Sequence, residues 1–150
     1  MKITLIRALD KIITALIFLS YPLLIVYYYF YQRDLLVRSV LVPAVSFAAV
    51  TVFRYTLNAK RPYEVTGEKP IIEKETKGKS FPSRHVFSAF MVAMTYMQTD
   101  IVTAVALMAL GVALSVIRVF GKVHYVRDVV AGAIIGTLLG WIGLFLIPWS

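Results

Sequence analysis

The chain holds only two histidines, His85 and His124, and both stand among arginines. Three short clusters carry this chemistry: Arg54 to Pro62, with Lys60 and Arg61; Phe81 to His85, with Ser83 and Arg84; and Arg118 to Asp128, with His124 between. His124 and Asp128 are four residues apart, so on a helix they share one face. A carboxylate so placed accepts a hydrogen bond from one ring nitrogen, fixes the tautomer and leaves the other nitrogen as a nucleophile. It would also stabilise the imidazole as it becomes cationic, the orienting task of the acid in catalytic triads. Taken alone, the pair also suits a helix-terminal histidine at a membrane interface beside a snorkelling acid.

Ser83 follows Pro82 and is placed to cap a helix start. Backbone N–H groups there would favour a phosphate, and His85 in the first turn could protonate a departing alkoxide or phosphate. In isolation that fragment is better explained as an ordinary capped helix with His85 a spectator. The arginines tip the balance. Arg54, Arg61, Arg84 and Arg118 all fall where apolar runs meet one face, and planar guanidinium groups match phosphate oxygens with paired hydrogen bonds. Snorkelling toward headgroups accounts for most of Lys2, Arg7, Lys11 and the loop lysines, but not for two histidines lying among arginines. Cations, two imidazoles and a carboxylate together are what phosphoryl transfer through a phosphohistidine requires.

The elements that must position these clusters are helices in a bilayer. Over 150 residues, 59% are hydrophobic and mean hydropathy is +0.77, more than one small globule could bury. A crossing helix needs about 20 mostly apolar residues, which predicts spans at Ile12 to Tyr31 and Leu35 to Leu57. Pro22 is tolerated inside the first, and Arg38 can snorkel from the end of the second. Asn58 to Pro82 mixes charge with Gly67, Pro70 and Gly78 and reads as a mobile surface loop. Ser83 to Gln98 forms a third helix whose short uncharged stretch calls for tilting or for shielding by neighbours. Ile101 to Phe120 and Tyr125 to Pro148 complete an all-α integral membrane bundle of about five transmembrane helices. It is a single domain, with its long loop between helices two and three. All three clusters then lie on one membrane face.

Gly132, Gly136 and Gly140, four residues apart, form a ridge for close helix approach, within the chain for preference and otherwise in a homodimer. Tyr27, Tyr28, Tyr29 and Tyr31, with Trp141 and Trp149, fit interfacial aromatic belts. The 16 Lys and Arg against 8 Asp and Glu give a charge of +8. With these apolar runs the excess points to anionic or phosphorylated lipid as partner, and not to nucleic acid. The absence of cysteine excludes disulfides and thiolate metal sites. The first apolar run lacks a small-residue cleavage site and reads as retained.

In order and spacing the three clusters resemble the signature of the type 2 phosphatidic acid phosphatase superfamily, which also includes vanadium-dependent haloperoxidases and glucose-6-phosphatase. Its pattern is Lys, six residues, Arg-Pro; then Pro-Ser-Gly-His; then Ser-Arg, five residues, His, three residues, Asp. The likeness covers about residues 50 to 140. Three positions depart from it: Arg54 stands where the family has Lys, Arg84 where it has Gly, and Ile117 where it has Ser. A donor from Arg84 or Ser115 could compensate for the hydroxyl lost at Ile117. The resemblance implies that His124 attacks phosphorus and Asp128 orients it. It implies that His85 protonates the leaving group and later activates water, while Arg54, Arg61, Ser83, Arg84 and Arg118 hold phosphate oxygens. It also implies metal independence without a cofactor, in keeping with the lack of a carboxylate cluster suited to Mg²⁺.

The expected activity is hydrolysis of a lipid phosphomonoester or pyrophosphate: undecaprenyl pyrophosphate, phosphatidylglycerol phosphate or phosphatidic acid. A vanadium-haloperoxidase-like enzyme would use the same anion pocket, and a non-enzymatic membrane protein could bind headgroups with the same basic face. Every Lys and Arg except Arg33 and Arg38 falls on the active face, which the positive-inside rule would make cytoplasmic. Several of those cations are claimed by chemistry, and bacterial relatives acting on lipid carriers work outside. The site is therefore expected on the extracytoplasmic face of the cell membrane.

Overall fold

Long uncharged runs leave a bilayer-embedded backbone one local solution, since each N–H must find a carbonyl within its own helix. The computed structural model, which describes residues 3–73 and 76–149, follows this rule. Its elements are α1 (Ile3–Tyr31), α2 (Arg33–Leu57), the short α3 (Pro62–Thr66), α4 (Arg84–Tyr96), α5 (Ile101–Phe120) and α6 (Val126–Trp141), which runs on as a π-helical turn at Ile142–Leu146. Helices α1, α2, α5 and α6 are long and apolar enough to cross a membrane. Lys2, Lys74 and Glu75 lie outside the described residues.

The 13-residue α4 is the centre of the bundle. Val86, Phe87, Ala89, Met91, Ala93 and Met94 are all buried, so α4 faces other helices nearly all round. That burial explains its short uncharged stretch: shielded from lipid, it needs no long apolar run of its own. The glycine ridge of α6 packs on it. A Cβ on Gly132 would stand 2.6 Å from the Ser83 carbonyl oxygen, and one on Gly136 would stand 2.5 Å from that of Phe87. The ridge thus serves packing within the chain.

Two expectations change. Helix α1 begins well before Ile12, because its charged first turns have partners: Arg7 Nε donates to the Ile71 carbonyl at 2.8 Å, and Asp10 pairs with Arg118. The segment after α2 is also more than a surface loop. Asn58 ends α2 in the left-handed region at φ 43°, and α3 follows. The Glu64 carboxylate then accepts from the N–H groups of Arg61 and Gly78, each at 2.8 Å. Ile71 and Ile72 donate backbone N–H groups to the Gly121 carbonyl, and Ile72 is buried against Gly121. Lys122 donates to Glu68, which holds that exposed carboxyl below its ordinary range. The loop is tied down onto the α5–α6 turn, with Arg61 and Ser80 inside.

Candidate active site

Helices α4 and α6 both begin on the face where α2 and α5 end, and the site forms between those ends. The Ser83 N–H donates to the Asp128 carbonyl at 2.8 Å, fixing the first turn of one helix to that of the other. Ser83 is the residue before α4, as the sequence predicts, yet its side chain makes no capping bond. The hydroxyl is buried and has no hydrogen-bond partner among the described residues.

His124 does not share a helix face with Asp128. It lies in the turn before α6, and Asp128 occupies the first turn of that helix. The pair meets because the carboxylate reaches back, accepting from the Tyr125 N–H at 3.1 Å while its Oδ2 stands 3.5 Å from His124 Nδ1. Ser80 donates its hydroxyl to the same Oδ2, and its Oγ is 3.5 Å from Nδ1. On the other edge of the ring, Arg61 Nη1 lies 3.5 Å from Nε2. A permanent donor on that side and a carboxylate on this one favour the proton on Nδ1, leaving Nε2 with its lone pair. His124, Asp128, Ser80 and Arg61 are each no more than 2% exposed.

The arginines of the first cluster are held by backbone carbonyls. Arg54 donates to those of Lys79, Ser80 and Pro82. Arg61 donates to Gly78 at 2.9 Å, Val123 at 3.0 Å and Lys79 at 3.3 Å. Guanidinium groups locked in this way have little freedom left to lose when they meet an anion. Arg84 stacks over the Phe47 ring, 5.2 Å from its centroid, and the His85 ring meets Phe18 edge-on at 6.0 Å. Arg54, Arg61, Arg84, His85 and His124 line one polar cavity of about 100 Å³, together with Tyr55, Thr76 and Lys79.

Arg118 is paired with Asp10 of α1. Its Nε lies 2.9 Å from Asp10 Oδ1 and its Nη2 lies 3.3 Å from Oδ2, so α1 holds the guanidinium in a buried two-point pair. Ile117 sits in the apolar core with Ile13 and Leu114. Ser115 bonds to the Gly111 carbonyl at 2.8 Å within α5, so its hydroxyl is engaged there.

Sequence reasoning passed over Ser80, Lys79 and Asp10. The signal for Asp10 was available as a lone acid in the apolar opening of α1. Ser80 and Lys79 gave none, because their roles depend on the fold of the loop. Among the described residues no three His, Cys, Asp or Glu side chains gather where a metal ion could sit.

A profile of the PAP2 superfamily matches residues 35–150. A comparison with curated proteins gave no match. Among solved structures, the chain is similar to the crystal structure of Aquifex aeolicus LpxE, with a TM-score of 0.74 and 21% identity over 95% of this chain and 92% of that one. That likeness is one of fold, and it extends over α1, which the family profile leaves out.

Proposed function

The chain belongs to the PAP2 superfamily, and from that premise we propose that it is a metal-independent membrane lipid phosphatase working through a phosphohistidine. The observation that carries this reading is the His124–Asp128 pair, buried beside a cavity lined by Arg54, Arg61, Arg84 and His85.

In the proposed reaction His124 Nε2 attacks phosphorus, forming a P–N bond as the bond to the leaving oxygen breaks. Asp128, with Ser80, holds Nδ1–H and stabilises the charge the ring acquires. Arg54, Arg61 and Arg84, with the Ser83 hydroxyl, hold the equatorial oxygens where charge develops. His85 gives its proton to the departing alkoxide or phosphate. It then takes one from a water, which attacks the phosphohistidine and releases inorganic phosphate, restoring His124. Cations in the cavity do the neutralising work that a metal does elsewhere, so EDTA leaves turnover intact.

A lipid substrate is supported by an apolar cavity of about 380 Å³ between α1, α2 and α4. Phe18, Phe47 and Ser88 border both that cavity and a smaller one that reaches Arg84 and His85. Chains would lie among the helices while the headgroup meets the arginines. Among lipid phosphates we favour a polyprenyl pyrophosphate over phosphatidylglycerol phosphate or phosphatidic acid. We place the active face outside the cell membrane, on the habit of bacterial family members that act on lipid carriers; the burial of Arg54, Arg61 and Arg118 among protein partners lessens the opposing charge count without reversing it.

The experiment is phosphate release from purified lipid phosphates in detergent, with and without excess EDTA. Release from one lipid class in both conditions supports the reading. No release from any, or release only with added Mg²⁺, overturns it.

A further inference from the structure

The segment between α2 and α4 carries a carboxylate that no signature position names. We propose that Glu64 is a positioning residue of the phosphate site: by gripping both sides of the loop's stem it sets the row of carbonyls that aims Arg54 and Arg61. The assignment rests on the phosphatase reading for its substrate, but it concerns anion binding, which can be measured without turnover.

Glu64 stands in the short α3, and its Oε2 accepts the Arg61 N–H at 2.8 Å. That bond alone would make it the capping acid of a helix start. The second bond goes further. The same oxygen accepts the Gly78 N–H, also at 2.8 Å, from fourteen residues along the chain. An ionised acceptor makes both bonds stronger than neutral ones. Around them two stretches run side by side. The Ser80 N–H donates to the Ala59 carbonyl at 2.8 Å. Gly78, at φ 63°, lies so close to the Asn58 side chain that any Cβ there would collide with it. Asn58 to Arg61 leads into the loop, Gly78 to Pro82 leads out, and Glu64 bonds to both.

The outgoing stretch is what the arginines are held by. Gly78, whose N–H Glu64 binds, offers its carbonyl to Arg61 Nε at 2.9 Å. The carbonyls of Lys79, Ser80 and Pro82 take Arg54, and that of Lys79 also takes Arg61 Nη2. The Ser80 hydroxyl meets Asp128. One short segment therefore aims two arginines and, through Asp128, the ring of His124. Arg61 keeps Nη1 3.5 Å from His124 Nε2, where a reacting phosphate must sit. Glu64 does not line the cavity these arginines share, so it acts through them. Without it the Gly78 N–H loses its acceptor, and the peptide that orients Arg61 is free to turn. A long side chain that must be ordered on binding loses up to about tenfold in affinity, and two arginines depend on this row.

The test uses inorganic phosphate as probe, its Kd read from thermal stabilisation of the full-length protein in detergent. Glu64→Ala raises Kd about tenfold or more, and the Gly78 and Ser80 amides exchange faster while those of the long helices stay protected. Glu64→Gln keeps an oxygen that accepts both N–H groups, so its Kd stays within about threefold of wild type. Glu68→Ala is the control. It breaks the exposed tie to Lys122, which holds the loop but not the carbonyl row, and Kd again stays within about threefold. An unchanged Kd in Glu64→Ala overturns the assignment. So does a tenfold rise in Glu68→Ala, because any loosening of the loop would then serve, and so does a tenfold rise in Glu64→Gln, because charge and not grip would then be at work. Wild-type protein that binds no phosphate removes the site and the assignment with it. Wild-type protein that binds phosphate but hydrolyses no lipid phosphate counts against the phosphatase reading and leaves this assignment standing.

Discussion

The carbonyl oxygen of Asp128 accepts the backbone N–H of Ser83 at 2.8 Å, so the first turns of α6 and α4 are one structural unit. The glycine ridge sets the spacing of that unit, because Gly132 lies directly against the Ser83 carbonyl. The separation between His124 on one helix start and His85 on the other is thus governed by how closely two helices pack.

Gly132→Ala tests that coupling. The added Cβ would stand 2.6 Å from the Ser83 carbonyl oxygen and 3.2 Å from the Phe87 nitrogen, so α6 must move off α4. Overpacking of this kind costs about 1–3 kcal/mol. Gly140→Ala meets Met94 Cβ at 2.7 Å, far from the chemistry. Both variants should melt at lower temperature, but Gly132→Ala should also lose kcat at a temperature where it is fully folded. Equal kcat in the two would show that the ridge sets stability alone.

Ser80→Ala removes the hydroxyl that shares Asp128 Oδ2 with the Tyr125 N–H. The carboxylate keeps His124 but loses one of the donors that aim it. An ordinary hydrogen bond is worth about 0.5–1.5 kcal/mol, so kcat should fall by up to about tenfold with KM little changed. Steady-state kinetics on the best lipid phosphate decide this. A pure KM effect would place Ser80 on the substrate side.

The helices were legible because apolar length alone dictates them, and the first-cluster arginines because charge at the end of an apolar run is conspicuous. The His124–Asp128 pairing was legible for the wrong reason. The interval is helical, but Lys122 takes a left-handed φ of 59° in the turn, so His124 sits off the helix and the carboxylate reaches back. The pairing of Arg118 with Asp10 was not legible, because the two are 108 residues apart in sequence and no local pattern reports such a contact. The folding-down of the loop was hidden for a similar reason: polar composition signals turns, whereas the seating of Ile72 on Gly121 depends on a surface that exists only after α5 and α6 have packed.

The two histidines should fail differently. His124→Ala should abolish turnover and leave no acid-labile phosphoenzyme after rapid quench. His85→Ala should slow turnover by roughly 10²–10⁴-fold, the usual worth of a positioned proton donor. It should regain part of the first step with a phosphate ester whose leaving group needs no proton. Near-normal activity in a folded His124→Ala protein would mean that the nucleophile is another group.

Arg84 stands where the family pattern has Gly, and its position explains what such a change can add. Its guanidinium stacks over Phe47 and lines both the polar cavity and the smaller one beside Phe18 and Ser88. It lies where headgroup gives way to chain. Arg54 and Arg61 are pinned by the carbonyls of Gly78 to Pro82 and Val123, which leaves them suited to the reacting phosphate. Arg84 has no carbonyl clamp of that kind among its described contacts, and it can swing from the ring to a second phosphate. A pyrophosphate supplies that group, and a monophosphate does not. Arg84→Gly should therefore lower kcat/KM for a polyprenyl pyrophosphate more than for a phosphatidate. The loss of one charge-assisted hydrogen bond, roughly 1.5–3 kcal/mol, corresponds to about a tenfold to hundredfold difference. Both substrates must be measured with wild type and variant in the same detergent, so that partition into micelles cancels. Equal losses would show that Arg84 touches only the reacting phosphate, and the preference for a pyrophosphate would then have no residue to rest on.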